Sequence, residues 1–383
     1  MNKNFPLGHI SVLDLTNVLS GPFATQILSD LGAEVIKVEK PDGDDSRGFG
    51  PFIKNKSSYF ISLNRGKKSI VLDLKKKKDK DIFNKILKKV DVIIDNFKPG
   101  TLEKFGFSSS YLKTHFPSLI QAKISGFGET GPLKEFPAYD MIVQAMGGIM
   151  SITGNKNNEY CRVGSSIGDI VAGLYAVIGI LTQIIFRQQT KKGSRLDLSM
   201  LDCQVAILEN AVTRYSVEKK IPKPLGTDHP SISPFGAFKT LDGTLAIAIG
   251  NDKMFKNFCN IIKAKNLVKN QKFNTNLLRN KNLNKLRIEI ESKLKKKKSK
   301  YWVKIFKENK IPHSTINNVE DVIKNQQIRK RKMILDYNFD SVEGLKISGN
   351  PLKFSFLDIN KNSRKSPNLD ENRMEILKKI NKV

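Results

Sequence analysis

The residue that most needs a chemical account is Asp169, the one acidic residue in the stretch 163–186, VGSSIGDIVAGLYAVIGILTQIIF. A bare carboxylate beside a long apolar run must be hydrogen-bonded or put to use, because burying an unpaired charge is costly. It stands where a helix would begin, ahead of Ile170, Val171, Leu174, Tyr175, Val177, Ile178 and Leu181 in an apolar pattern of helical period. Two roles fit. It can be an N-cap, or an ionised nucleophile whose pKa the helix start lowers and whose partner gains negative charge against unpaired N–H groups. Gly173, Gly179, Thr182 and Gln183 interrupt the run, so a core helix is expected rather than a membrane span.

The elements that must hold such a residue are legible on either side. Residues 10–15 read as a buried strand, Gly21-Pro22 as a turn with Pro at a helix start, 23–31 as a helix closed by Gly32, and 34–39 as a second strand. A βαβ unit of this kind carries its ligand at the carboxyl ends of its strands, which makes 16–22 a candidate binding loop. It has no GxGxxG, so a dinucleotide site is not expected. Strands at 69–74, 91–96 and 119–124, separated by helical stretches, predict a mostly parallel, doubly wound, Rossmann-like α/β sheet. Residues 201–217 read as one amphipathic helix, and the Pro-rich 219–234 as a crossing segment. A hairpin with Gly243 in its turn and helices at 251–263 and 282–309 then predict a smaller α+β domain. The expected division is 1–221 for the first part of the large domain, 222–330 for the small one, and 331–383 for a terminal segment.

The 383 residues are 39% hydrophobic and 27% charged, enough for a sizeable core and unlike a disordered chain. A net charge of +29 invites a nucleic-acid reading. The basic residues are overwhelmingly Lys, spread along the whole chain among many Asn and Ile, so no nucleic-acid partner is expected. The runs Lys75–Lys78 and Lys295–Lys298 read as solvated helix ends. Cys161, Cys203 and Cys259 are widely spaced without a CxxC pair, which argues against a disulfide framework or a zinc site. The first residues show no signal-peptide pattern, and a cytoplasmic protein without a membrane partner is expected.

Six stretches in order, DLTNVLSGPFATQILSDLGAEVIKVEKPDGDDSR, NRGKKSIVLDLK, DNFKPGTLEKFGF, ISGFGETGP, AYDMIVQAMGG and GDIVAGLYAVIGIL, together resemble the class III CoA-transferase family. That family includes formyl-CoA transferase, carnitine CoA-transferase and α-methylacyl-CoA racemase. The resemblance runs from about residue 6 to residue 370. GDDSRGFGPF, LGTDHPSISPFGAFKTLDG and INNVEDVIKNQQI look most like the succinate-hydroxymethylglutarate CoA-transferase members.

The resemblance implies that Asp169 is the nucleophile. It would take an acyl group from a CoA thioester as a mixed anhydride and then CoA itself as an aspartyl thioester, before reversing these steps with an acceptor acid. It implies a CoA thioester as substrate, no permanently bound cofactor, and two interlocked ring-shaped subunits. Family racemases place a His where this chain has Tyr139, ahead of Asp140. Tyrosine, with a pKa of about 10, is a poor base at neutral pH, so the transferase reading is favoured over the racemase one. Tyr139 and Asp140 can equally be helix anchors, with Asp140 as N-cap.

For CoA, the resemblance points to Asn17, Val18, Leu19 and Ser20 beside the thioester, and to Lys40, Leu72, Lys75, Asn96, Phe97 and Lys104 around the nucleotide. Leu19 stands where formyl-CoA transferase has a catalytic Gln, which leaves oxyanion stabilisation to backbone N–H groups. A dicarboxylate substrate would need a fixed cation, and Arg47 and Arg162 are the candidates; a surface salt bridge is the alternative for each. His229, in GTDHP near the place of the family's glycine-rich loop, is a candidate acceptor-site residue or a structural one.

Overall fold

In the computed structural model, residues 5–155, 159–340, 342–361 and 364–381 are described, and the chain falls into two compact units. The first comprises 1–150, 162–217 and 326–383, and the second 151–161 and 218–325.

The first unit is built on a six-stranded sheet. Its strands are β1 (Ser11–Asp14), β2 (Glu34–Glu39), β3 (Lys68–Val71), β4 (Val92–Asp95), β5 (Ile120–Ser125) and β6 (Arg195–Ser199). They lie in the order β3-β2-β1-β4-β5-β6 and every pairing is parallel, with Val12 opposite both Val35 and Val92. The apolar runs predict such a sheet because strands covered on both faces need apolar residues on both. Val12, Val35, Ile94 and Ala122 face one layer; Leu13, Ile36, Ile70 and Ile93 face the other.

Helix α1 (Ser20–Asp30) covers the first face and α3 (Lys77–Leu87) the second, with α2 (Ser58–Asn64) between them in sequence. The short α4 (Asp140–Met146) precedes α5 (Ile167–Thr190), which buries Val171, Ala172, Ala176, Ile180 and Ile184 in the core with α1. By length and composition α5 could cross a membrane; here its inner stripe packs on the sheet.

Two sequence expectations change here. The single helix expected at 201–217 is two, α6 (Met200–Ala206) and α7 (Ala211–Glu218), broken where Glu209 takes a left-handed φ of 55°. The strand β6 was not anticipated: its alternating RLDLS leaves Arg195 and Asp197 exposed at the sheet edge, a weaker signal than the continuous apolar strands.

The second unit carries an antiparallel sheet in which β7 (Phe235–Lys239) and β8 (Thr244–Ala248) form the expected hairpin and β9 (His313–Thr315) adds to β8. Around it, α8 (Asp252–Ile261), α9 (Leu283–Leu294) and α10 (Ser299–Glu308) close a core of Phe238, Phe255, Phe258, Leu286, Ile290 and Phe306.

The chain then rejoins the first unit. There the hairpin of β10 (Ile334–Phe339) and β11 (Val342–Ser348) packs on Ile61, and α11 (Arg373–Asn381) lies against β3 and α3. The edge strand β3 is capped by this segment: the Ser69 N–H donates to Asn372 Oδ1 at 3.0 Å and the Val71 N–H to Asp370 Oδ1 at 2.7 Å.

Candidate active site

The strand order reverses between β1 and β4, the place where open parallel sheets hold ligands beyond their carboxyl ends. The loop leaving β1 there is tied at nearly every step. Thr16 donates its N–H and its hydroxyl to Asp14 Oδ1, at 2.9 and 2.5 Å. Asn17 and Asn96 exchange a reciprocal pair, the Asn17 N–H to Asn96 Oδ1 at 2.8 Å and Asn96 Nδ2 to the Asn17 carbonyl at 2.9 Å. Val18 has φ 66°, and its N–H donates to Asp44 Oδ1 at 3.2 Å. Leu19 is the N-cap of α1 without a side-chain cap, and the buried Ser20 is its first residue.

Asp169 meets that loop. It is the third residue of α5, not its cap; Ser166 holds the N-cap position and makes no side-chain bond. The Ser20 hydroxyl and backbone N–H lie toward the Asp169 carboxylate and favour its charged form. A pKa lowered by the helix start is expected from sequence, and the opposite holds. Burial, and next the Asp140 carboxylate, push Asp169 up from 3.8 to about 7, against the opposing influence of Ser20.

Asp140 also explains why the helix start does not prevail. Its Oδ1 accepts the Gly168 N–H at 2.8 Å, taking an N-terminal donor of α5, while Oδ2 accepts from Gln144 Nε2 at 2.8 Å. The close approach depends on Gly168, since a Cβ there would lie 2.7 Å from Val143 Cγ2 and 3.0 Å from Asp140 Oδ1. Asp140 is the first residue of α4, so the N-cap position belongs to Tyr139, a residue 79% exposed.

A cavity of about 420 Å³ opens at the carboxyl ends of β1 to β4, lined in part by Leu15, Val38, Lys40, Leu72, Lys75 and Phe97. Four of the residues expected around a nucleotide are therefore together. Lys104 is exposed on the turn whose Thr101 lines the same cavity, and Asn96 braces the neighbouring loop. Lys40 pairs with Asp45 at 2.6 Å in solvent. The loop from Leu15 to Ser20 thus joins the cavity to Asp169.

The cations differ. The Arg47 fork is filled by Glu39, with Nε to Oε2 and Nη2 to Oε1 both at 2.7 Å, and lies 3.7 Å above the Phe60 ring. Arg162 is half exposed; Nη1 is 3.9 Å from Asp140 Oδ2, and Nη2 donates to the Gly164 carbonyl at 2.8 Å. His229 is in the second unit, where its Nδ1 accepts the N–H groups of Ser231 and Ile232, each at 3.0 Å.

Beneath the loop lies a buried ionic network that sequence reasoning missed. Lys37 Nζ donates to the Thr16 carbonyl at 2.6 Å and pairs with Asp44 Oδ2 at 2.8 Å. Lys67 Nζ reaches Asp14 Oδ2 at 3.1 Å, the Pro22 carbonyl at 3.1 Å and Asn64 Oδ1 at 2.8 Å. Burial brings Lys67 down to about 8 despite the Asp14 charge, while Lys67 and Lys37 hold Asp14 well below the usual carboxylate range against its own burial. The available signal was Lys37 itself, a charge between Ile36 and Val38 in an otherwise apolar strand. Tyr59 was missed too: burial, with the charges of Asp169, Asp44 and Asp140 nearby, pushes its hydroxyl up to about 12.

The chain is similar to known proteins along nearly its whole length. Residues 7–373 match the model of CoA-transferase family III. The chain is 39% identical over 368 residues to the acetyl-CoA:oxalate CoA-transferase of Acetobacter aceti, covering 96% of this chain and 93% of that protein. It is 35% identical to the succinyl-CoA:glutarate CoA-transferase of Homo sapiens, covering 99% of this chain and 87% of that one. Among solved structures, a CAIB/BAIF family protein from Brucella suis superposes with a TM-score of 0.87 at 36% identity, covering 99% of this chain and all of that one. With the family's match running nearly end to end over a doubly wound sheet, the chain belongs to CoA-transferase family III and is a CoA-transferase.

Proposed function

We propose that this enzyme moves CoA between carboxylic acids, with a dicarboxylate such as succinate on at least one side, through covalent intermediates on Asp169. The observation that carries the reading is the Asp169 carboxylate at the start of α5, facing the amide end of α1 one loop away from the β1–β4 cavity.

In this scheme an Asp169 oxygen attacks the thioester carbonyl, the C–S bond breaks and CoA leaves as thiolate, giving a mixed anhydride. The thiolate then attacks the Asp169 carbonyl and expels the donor acid as carboxylate, leaving an aspartyl-CoA thioester. The acceptor carboxylate attacks that carbonyl to form a second anhydride, and CoA thiolate attacks the acceptor's acyl carbon and returns Asp169. Each step exchanges one acyl bond for another, so no metal, nucleotide hydrolysis or redox group is called for. Negative charge on the attacked oxygen would be met by backbone N–H groups around Leu19 and Ser20. Leu72 and Phe97 would flank the base, and Lys40, Lys75 and Lys104 would supply charge to the phosphates as points rather than forks.

Arg162 is the better anchor for a second carboxylate, because the Arg47 fork is already engaged by Glu39. The human relative is named for succinyl-CoA and glutarate, and the Acetobacter aceti relative for acetyl-CoA and oxalate, so dicarboxylates recur in the names of these relatives. A cytoplasmic enzyme assembled from two copies of this chain completes the proposal.

The test is incubation with succinyl-CoA, rapid quenching with borohydride and peptide mass spectrometry, beside the Asp169→Ala variant. Conversion of Asp169 to homoserine, absent from the variant, is the expected result. Absence of labelling with a panel of acyl-CoAs, in a protein shown to bind CoA, would remove the covalent reading and leave α-proton exchange by a racemase-like reaction to be assayed in deuterium oxide.

A further inference from the structure

Val18 is a β-branched residue in the left-handed region, at φ 66°, a conformation such side chains rarely adopt unless the surroundings enforce it. Asp44 enforces it. Its Oδ1 accepts the Val18 N–H at 3.2 Å and both the N–H and the hydroxyl of Ser46, at 2.8 and 2.7 Å. Its Oδ2 pairs with Lys37, which donates in turn to the Thr16 carbonyl at 2.6 Å. Both side chains of the pair are sealed from solvent, at 1% and 0% exposure. Together they grip the loop at Thr16 and Val18, on either side of Asn17 and two residues before Ser20, whose polar groups favour the charged form of Asp169.

We infer that Lys37 and Asp44 form a positioning clamp that holds Val18 left-handed and thereby aims the Leu19–Ser20 amides at Asp169 and the acyl group it receives. The inference rests on the role proposed above for Asp169. The clamp also joins the two parts of the site. Asp44 closes the segment whose Lys40, Pro41 and Asp42 line the cavity, and its N–H is fixed to Glu39 Oε2 at 3.0 Å. The tie to Glu39 is made by the Asp44 backbone and survives a change of its side chain, so loss of the clamp falls on turnover rather than on nucleotide affinity.

Asp44→Asn tests this, because an amide has one acceptor oxygen where Asp44 uses two, so either the Lys37 side or the Val18 side must open. The expected result is a kcat at least tenfold lower with KM for the acyl-CoA changed by less than about twofold. Adding Val18→Gly should recover most of that loss relative to Val18→Gly alone, since glycine takes the left-handed turn without a clamp. Full activity in Asp44→Asn, or a double variant no better than Asp44→Asn, overturns the inference. If Asp44→Asn does not fold, Lys37→Gln is read by the same rescue, since it removes the charge but keeps a donor for Thr16. Asp169→Ala in the same series separates the two ideas: borohydride labelling that survives in Asp169→Ala refutes the nucleophile, whereas labelling lost there with no effect of the clamp variants refutes the clamp alone.

Discussion

In the proposed scheme Asp169 attacks as an anion although burial and the Asp140 charge push it up to about 7, which gives the scheme a pH signature. The log of kcat/KM for the acyl-CoA should rise with a slope of one below about pH 7 and level off above it. Asp140→Asn removes the neighbouring charge and should move that limb to lower pH; an unmoved limb would assign the titration to another group. Stability follows the same shift with a definite sign. Between about pH 4 and 7 the folded protein keeps a proton on Asp169 that the unfolded chain has lost, so this group's contribution falls as pH rises across that window. Asp169→Asn should therefore be more stable than the parent by about 1–3 kcal/mol at pH 8, after discounting for partial exposure, with the difference vanishing near pH 4. Denaturant titrations at the two pH values measure it. Arg162→Met is expected to raise KM for a dicarboxylate at least tenfold and to change KM for a monocarboxylate little; equal changes would show that Arg162 does not read the second carboxylate.

At the scale of elements, the site depends on how closely α5 approaches the start of α1. Gly173 sets that distance: a Cβ there would lie 2.7 Å from the Ser20 carbonyl oxygen and 3.0 Å from Phe23 Cδ1. The carbonyl is backbone, so the helices must part rather than a side chain turn aside. Gly173→Ala should cost about 1–3 kcal/mol as an overpacked contact, and should lower kcat at least tenfold because Ser20 is carried away from Asp169. Urea denaturation and steady-state rates test both halves, and a stable, fully active variant would show that the helix spacing is not critical. The same glycine looked in the sequence only like an interruption of an apolar run.

For the whole molecule, the outer stripe of α5 matters most. Leu174, Ile178, Ile185 and Phe186 remain substantially exposed, and Leu174 and Ile178 border an apolar groove of about 520 Å³ with Phe23, Ile27, Leu181 and Leu352. An apolar surface of this kind marks an association site. A second copy of this chain is the proposed occupant, and light scattering is expected to give a dimer. Ile178→Glu should weaken the dimer by at least tenfold in Kd, read by sedimentation at falling concentration; a monomeric parent protein would refute the assembly.

The sequence by itself determined the parallel sheet, because strands buried on both faces must be written as continuous apolar runs, and it marked Asp169 as the carboxylate to explain. Its family resemblance pointed to Lys40, Leu72, Lys75 and Phe97, and these line one cavity because they follow strands whose carboxyl ends converge. The tertiary structure alone decided that the Asp169 carboxyl is pushed up to about 7, since burial raises it most and the next contributor, Asp140, is 29 residues away and is brought up against Gly168 only by the packing of α4 on α5. It alone decided that Arg47 is engaged by Glu39 and that Lys37 and Asp44 grip the loop of Val18. Periodicity records which face of an element is buried. Which charges meet inside the fold depends on distances between elements that no local pattern encodes.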